Sequence, residues 1–355
     1  MPVDVLPALA ARRPVDETSW HDLWERAAHK ALRPGEAVGV VASLSTRLPD
    51  ADSVVALLDS LDARRGPLPA PWPGTVNPVG TGGGPATFDV ATAAALLAAA
   101  MGIRVVKTGS CGCTGRSGSL DTLERLGIAT AASYAECEDM LAAHGIAFAG
   151  GFVHPVELTS LERAILPYGM EQVGGAVHRL GPFLAAIPVT AQVTGVTEPG
   201  LHAVAARIAD SRPHRALWLT RNDLGADKLL SFAANTVRPG PNRSETTIAP
   251  GFAGGGHPHP GTLADLRPAG PGEPAGTHLL ALLRGEGPAA ARETVCLNAA
   301  VAALAALAAG ADQSLAEAFH AAEDALRDGA AVRLVERLRA RRGTESARQV
   351  AGVRA

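Results

Sequence analysis

Two glycine-rich stretches carry the residues best suited to chemistry. The first is Gly80-Thr81-Gly82-Gly83-Gly84, followed by Thr87, Asp89 and Thr92 at the start of an Ala/Leu helix. Consecutive glycines let backbone N–H groups approach an anion closely, and a helix N-terminus adds partial positive charge. The stretch reads as a phosphate or pyrophosphate cradle; the structural alternative is a tight hinge turn. No Gly-Lys-Ser/Thr follows, so it is not a Walker A loop, and the spacing does not fit a dinucleotide fingerprint. The second stretch is Val105-Val106-Lys107-Thr108-Gly109-Ser110, then Thr114-Gly115-Arg116-Ser117-Gly118-Ser119. Here a lysine ends a buried strand and meets a loop of small donors. Ligands gather at strand C-termini in open α/β sheets. Two cations and several hydroxyls suit a phosphorylated sugar; a solvated Gly/Ser loop beside a snorkelling lysine is the alternative.

Other candidates are weaker. Asp223 and Asp227 follow an apolar run, Ala216–Leu219, and are placed to hold Mg²⁺ at a strand end or to cap a helix. His154-Pro155 follows an aromatic-glycine strand end and is ambiguous by itself. Cys111-x-Cys113 has the wrong spacing for a zinc knuckle and no matching pair. His257-Pro258-His259 lies in a Gly/Pro loop and reads as exposed.

The elements that must position these residues follow from periodicity. Residues 19–32 read as a helix capped by Ser19, and a second helix runs from Asp50 or Asp52 through Leu61. Gly66–Pro78 holds five prolines and reads as a connector. Beyond it the grammar is α/β: a glycine loop, the helix Thr92–Met101, a strand at Ile103–Val106, a second loop, and a helix from Asp121 to Leu126. Further strands are expected at Ile146–Phe148, Val189–Val193 and Ala216–Leu219. Helices are expected at Ser160–Leu166, Leu201–Ile208, His278–Leu283, Arg292–Ala309 and Ser314–Arg327. Arg238–Gly276 reads as largely surface loop.

Composition bounds the rest. The chain has 355 residues, 47% hydrophobic and 19% charged, enough apolar material for a core and enough length for two domains. Aromatics are only 4%, so the core is built mainly of Ala, Leu and Val. A net charge of −3 argues against a nucleic-acid partner. The four cysteines form no disulfide framework, and no apolar run reads as a membrane span. A reduced, cytoplasmic enzyme is expected.

In order and spacing these pieces resemble the anthranilate phosphoribosyltransferase branch of a family that also holds the pyrimidine nucleoside phosphorylases. The likeness runs from His21 to Leu338. The family's GTGGD-x-x-x-TFN-x-ST pattern matches Gly80–Gly84 and Thr87-Phe88-Asp89-Val90-Ala91-Thr92. Its KHGN and SSKSGS-x-D segments match Lys107–Ser110 and Thr114–Asp121. Its FHP, LGP and LNAA match His154-Pro155, Leu180-Gly181-Pro182 and Leu297-Asn298-Ala299-Ala300. The resemblance implies a small helical domain (1–66 plus 157–184) and a larger α/β domain (74–150 plus 188–355) with a central, mostly parallel sheet. It also implies a homodimer, and a cytoplasmic enzyme that uses phosphoribosyl pyrophosphate with Mg²⁺. In this reading Lys107 and Asp89 are catalytic. Gly80, Thr81, Gly82, Gly83, Thr87, Thr92, Lys107, Ser110, Thr114, Arg116, Ser117 and Ser119 bind the donor. His154, Glu157 and His178 face the acceptor, and Asp227 with Asp223 holds the metal.

The departures from the family pattern set the expected acceptor. The Asp after GTGG is Gly84, a metal-binding Ser is Ala91, and an Asp-Glu pair is Asp227-Lys228. Metal use is therefore expected to be reduced, with Lys228 replacing a cation at the pyrophosphate. The Arg that would hold anthranilate's carboxylate falls at Ala164 counted from His154, or at Tyr168 counted from Gly181; Arg163 is one position away. Asp89, Glu157 and Glu162 make the acceptor side acidic on this reading. A cationic acceptor is expected, such as the aminoglycoside neamine in antibiotic biosynthesis. The alternatives are a pyrimidine nucleoside phosphorylase, since Ser119–Glu124 resembles that branch, an anthranilate phosphoribosyltransferase, and a non-catalytic binding protein of the same fold.

Overall fold

The computed structural model describes residues 2–110, 118–240, 243–252, 261–267, 270, 275–307 and 313–340. Four helices come first: α1 (Val5–Ala10), α2 (Glu17–Ala28), α3 (Glu36–Thr46) and α4 (Ala51–Asp62). The α/β part begins with β1 (Trp72–Gly80), α5 (Val90–Ala100), β2 (Arg104–Thr108), α6 (Ser119–Leu126), α7 (Tyr134–His144) and β3 (Ile146–Ala149). The chain returns to the helical layer with α8 (Val156–Ala164), α9 (Met170–Val173) and α10 (Gly175–Leu184). It then completes the sheet with β4 (Val189–Gly195), α11 (Pro199–Ser211), β5 (Ala216–Asn222), β6 (Asn235–Arg238) and β7 (Thr246–Ile248). Helices α12 (Ala275–Leu283), α13 (Ala289–Ala306) and α14 (Leu315–Arg327) follow.

The seven strands lie in the order β3-β2-β1-β4-β5-β6-β7. The first five are parallel, and β6 and β7 run antiparallel at one edge. This is the mostly parallel sheet expected from the sequence. Strand order reverses between β1 and β4, which pair in register from Val76↔Ala191 to Gly80↔Gly195 and so end side by side. Such a switch point opens a crevice beyond the strand ends, and the Gly80–Gly84 loop leaves β1 there.

Two apolar clusters hold the molecule together. One packs α5, α7, α12, α13 and α14 on the sheet. Within it Ala93 to Ala98 of α5 are fully buried, which small side chains permit because helix and neighbours approach closely. Helix α13, the most membrane-like in composition, packs against α5 and α14 and is a core helix. The second cluster joins Trp20, Leu23, Val40, Leu58, Ile165 and Phe183 of the helical layer to Leu201 and Ile208 of α11 and Leu217 and Leu219 of β5. The helical core thus extends past residue 188, because α11 lays its apolar face on α4.

Three local expectations are corrected. Gly66–Pro78 is not only a connector: β1 starts at Trp72 and runs through Pro73 and Pro78. The ladder tolerates Pro78 because β1 pairs with β2 only at Thr75 and Val76, leaving no β2 partner opposite the missing N–H. Helix α2 is capped by Asp16, whose Oδ1 accepts from Ser19 N at 2.8 Å, so Ser19 lies inside the helix. Strand β7 (Thr246–Ile248) lies inside the stretch Arg238–Gly276 that reads as largely loop, and β6 ends at its first residue; their short polar edge gives little alternation to detect.

Glu36 at the start of α3 is buried and accepts from Arg26 Nη1 at 2.8 Å and Arg33 Nε at 3.1 Å. Burial pushes its carboxyl up, but the bonds from Arg33 and Arg26 outweigh burial and hold it at about 2. A carboxyl depressed in this way lends stability above its unfolded value and loses it as pH falls through the folded one. Glu36→Gln is expected to cost about 1.5–3 kcal/mol at neutral pH. It should also flatten the loss of stability between the ordinary value of 4.5 and about 2, measured by urea unfolding across pH.

Candidate active site

The site is built where two loops meet at the β1–β4 switch point. Gly82, Gly83 and Gly84 all have positive φ, at 69°, 78° and 62°, and all three are exposed. Thr81 N donates to Gly195 O at 3.0 Å, fixing the loop to the end of β4, and Thr197 Oγ1 donates to Gly82 O at 3.3 Å. The second loop, residues 223–228, leaves β5 and seats on the first. Asp227 Oδ2 accepts from Gly82 N at 3.0 Å. A Cβ at Gly80 would stand 2.2 Å from Asp227 Oδ2, one at Gly195 1.9 Å from Asp227 O, and one at Gly84 2.3 Å from Gly225 O. Glycine at these three positions is thus required by the protein's own loop. From sequence the Gly80–Gly84 stretch reads as an anion cradle or a tight hinge turn, and neither reading includes the packing of a second loop. Gly84, where the family pattern has Asp, is explained by Gly225 O lying in the space a side chain would fill.

Lys228 occupies the junction. Its Nζ lies 2.7 Å from Asp227 Oδ1 and donates to Thr87 Oγ1 at 2.7 Å. The loop is braced from two sides. Asn222 Nδ2 donates to Ala226 O and Lys228 O, at 2.9 and 2.7 Å. Asn298 of the LNAA motif pairs with both backbone groups of Leu229, accepting at 3.1 Å and donating at 2.8 Å. The bracing asparagines were not assigned a role from sequence; the intact LNAA motif was the available signal for Asn298.

Lys107 lies beneath the glycine loop. It is buried, and its Nζ donates to Pro78 O and Thr108 O, each at 3.3 Å. Burial pulls its ammonium below the ordinary lysine range, while the charges of Asp89 and Asp227 oppose that shift. Asp89 caps α5: Oδ1 accepts from Thr92 N at 3.0 Å and Oδ2 from Thr92 Oγ1 at 2.6 Å. Both its oxygens are engaged, so Asp89 acts here as a helix cap whose charge faces Lys107. Gly80, Thr81, Gly82, Gly83, Thr87, Asp89, Thr92, Lys107 and Asp227 therefore form one constellation.

Other expected residues fall elsewhere. Ser110 is exposed, and its carbonyl accepts from Leu120 N at 3.3 Å, while Ser119 opens α6 against Gly109. Thr114, Arg116 and Ser117 lie outside the described residues, as do Cys111-x-Cys113 and His257-Pro258-His259. Asp223 is exposed, and among the described residues no group of three His, Cys, Asp or Glu side chains is placed to hold a metal ion. Both Asp227 oxygens are already taken, by Gly82 N and by an ammonium. These residues do not form a protein cage for Mg²⁺.

The acceptor side is not acidic in the way the sequence implied. Glu157 Oε1 accepts from Arg64 Nε at 2.8 Å, and Arg64 also pairs with Glu25, so its charge is neutralised within the helical layer. Glu162 is exposed on α8. His154 is half-buried; burial, then the charge of Arg65, holds its imidazole below the ordinary range. Arg65 donates to Val153 O at 2.9 Å and to Leu184 O. His178 is half-buried on α10, and burial lowers it as well. Arg163 is exposed, on the side of α8 away from Glu157 and Leu161. The pair Arg64-Arg65 was missed because nothing local distinguishes it from an ordinary basic helix end.

Residues 73–332 match the model of the glycosyl transferase family, a/b domain. An anthranilate phosphoribosyltransferase of Methylorubrum populi is 32% identical over 323 residues, covering 88% of this chain and 92% of that protein. One of Geobacillus kaustophilus is 32% identical over 275 residues, covering 75% and 76%. Among solved structures, the anthranilate phosphoribosyltransferase of Thermus thermophilus superposes with a TM-score of 0.77 at 25% identity, over 95% of this chain and 99% of that one. The Saccharomyces cerevisiae enzyme, in complex with phosphoribosyl pyrophosphate and Mg, has the same fold, with a TM-score of 0.74 at 18% identity over 96% and 97%.

The seating of one loop on the other gives a direct test. Gly195→Ala places a methyl group against Asp227 O and is expected to destabilise the protein by about 1–3 kcal/mol. Amide hydrogen exchange at Gly82 should rise in the variant, since its carboxylate acceptor is displaced. Unchanged protection there would contradict the packing.

Proposed function

Since the chain belongs to the glycosyl transferase family, we propose that it is a phosphoribosyltransferase that moves 5-phosphoribose from phosphoribosyl pyrophosphate to an acceptor other than anthranilate. The observation that carries this reading is the crevice at the β1–β4 switch point. There an exposed glycine loop, Thr87, Lys107 and Lys228 converge at the strand ends. A pyrophosphate leaving group needs backbone N–H donors and fixed positive charge.

In the reaction the C1–O bond breaks and its electron pair leaves with the pyrophosphate. The lone pair of the acceptor's nucleophile forms the new bond to C1, and the nucleophile's proton passes to solvent. The amides of Gly82 and Gly83 and the hydroxyls of Thr81 and Thr87 are assigned to the pyrophosphate. Lys107 supplies a fixed positive charge beneath it, undiluted by water because it is buried. Asp89 and Thr92 set the start of α5, whose N-terminus follows the glycine loop in the chain and carries partial positive charge. Ser110, Thr114, Arg116, Ser117 and Ser119 are assigned to the sugar phosphate. The donor's pyrophosphate oxygens would hold a Mg²⁺ ion, which would offset charge on the leaving group. Asp223 has no part in this reading.

On the acceptor side, neither Ala164 nor Tyr168 supplies the guanidinium an anthranilate carboxylate would want, and Arg163 points to solvent. Pairing with Arg64 removes Glu157 as an open acid, so charge alone no longer singles out a cation. The acceptor we favour carries an amine or hydroxyl and meets His154 and His178; an aminoglycoside such as neamine is the member to test. The second reading is anthranilate itself, favoured by the Methylorubrum populi relative. The phosphorylase alternative rests on the likeness of Ser119–Glu124 to that branch, where Asp121 accepts from Gly118 N at 2.8 Å and caps α6. A homodimer formed through the helical layer and a cytoplasmic location belong to the same proposal.

Turnover of phosphoribosyl pyrophosphate with Mg²⁺ is to be followed with neamine and anthranilate side by side. Pyrophosphate release dependent on neamine supports the reading; anthranilate as the better acceptor would falsify it. Phosphate-dependent release of base from uridine would favour the phosphorylase. Lys107→Ala is expected to lower kcat/KM for the donor at least about tenfold, with little change in acceptor KM. Steady-state kinetics with each substrate varied in turn measures both.

A further inference from the structure

Lys228 and Asp227 stand where the family pattern has two carboxylates, and their geometry leaves no room for a protein-held metal ion. Asp227 Oδ1 is bound by Lys228 Nζ at 2.7 Å and Oδ2 by Gly82 N at 3.0 Å. A divalent ion entering there would have to displace both donors and would then stand beside an ammonium. That ammonium is itself well fixed. Asp227 and Thr87 hold it from two sides, the side chains of Lys228 and Asp227 are only 14% and 15% exposed, and Asn222 and Asn298 pin the backbone on either side. An ammonium has three hydrogens, and two of them are directed at Asp227 and Thr87. It sits at the edge of the exposed glycine loop, so an anion on the loop amides lies within its reach.

We propose that Lys228 is the protein's own cation for the pyrophosphate end of the donor and takes the place of a metal ion held by the protein. This rests on the phosphoribosyltransferase reading above. Asp227 serves as the resting partner of both donors. When a pyrophosphate oxygen arrives it takes over Gly82 N and accepts the third hydrogen of Lys228 Nζ, while the ammonium stays paired with Asp227, so the carboxylate remains neutralised and no donor is left bare. A fixed ammonium costs no reorganisation when charge develops on the leaving oxygen. The only Mg²⁺ in the reaction is then the ion that the substrate's pyrophosphate chelates.

Calorimetry with inorganic pyrophosphate as the probe tests this, in EDTA and again with Mg²⁺. The wild-type protein is expected to bind pyrophosphate in EDTA. Lys228→Ala should weaken that binding at least tenfold, and Lys228→Arg should keep it within threefold. Lys228→Glu should bind pyrophosphate only with Mg²⁺, and should acquire a Mn²⁺ site that is visible by electron paramagnetic resonance and absent from the wild type. Circular dichroism confirms that each variant is folded. Wild-type binding that requires Mg²⁺, or a Lys228→Ala variant that binds as the wild type does, overturns the proposal. If pyrophosphate binding requires Mg²⁺ while phosphoribosyl transfer proceeds, only this inference falls. Pyrophosphate bound in EDTA without any transfer from phosphoribosyl pyrophosphate removes the functional reading and leaves Lys228 as an anion-binding cation. Loss of binding under both conditions removes both.

Discussion

A single carboxylate organises the crevice. Asp227 accepts from Gly82 N with one oxygen and from Lys228 with the other, and so clamps the loop after β5 onto the loop after β1. The clamp is tight enough that Gly80, Gly84 and Gly195 have no space for a side chain. Those glycines do two jobs. They let one backbone pass close to another, and they leave Gly82 and Gly83 open to solvent with positive φ. A charged pair at a strand end is costly to hold unless every remaining polar group is satisfied. Asn222 and Asn298 meet that demand by taking up the backbone groups of Ala226, Lys228 and Leu229.

The helical layer joins the sheet through apolar packing and through arginines. Leu201 and Ile208 of α11 and Leu217 and Leu219 of β5 belong to the same buried cluster as Trp20 and Leu58. Arg65 lies between the two chain segments that connect the layers, donating to Val153 O in one and Leu184 O in the other. Ala186 N donates to Val153 O at 2.8 Å, so the two segments also touch directly. Beside them Arg64 neutralises Glu157. The polarity around His154 and Glu157 therefore depends on Arg64 and Arg65, just beyond α4 and far away in sequence. This is why a charge count over 154–162 alone pointed to an acidic pocket.

Much of the fold was legible because its signals are local. Asp50, one of the two caps the spacing allows, starts α4, the Ala-rich stretch after Asp89 forms a buried helix, and the β-branched run ending in Lys107 forms a strand. Ordinary competition explains the misses. Asp16 displaced Ser19 from the cap of α2 because its carboxylate reaches both the N–H and the hydroxyl of Ser19. Pro73 and Pro78 hid a central strand, since a missing N–H is harmless only where the neighbouring strand makes no ladder bond, and that depends on register. Strands β6 and β7 pair antiparallel at the sheet edge, where neither alternation nor apolarity marks them.

The sequence by itself determined the class of fold, the order of its pieces and the positions of the glycine loop, Lys107 and Asp227, because each rests on the types and spacing of neighbouring residues. It also contained the departures from the family pattern, among them Gly84, Ala91, Lys228 and the Arg replaced at Ala164 or Tyr168. Only the tertiary structure decided what those departures do. Whether Glu157 is an open acid or half of an ion pair depends on Arg64, and whether Asp227 is free for a metal depends on Gly82 and Lys228. An ionisable group acquires its role from the charges and donors within a few ångströms of it, and folding brings those together from distant parts of the chain.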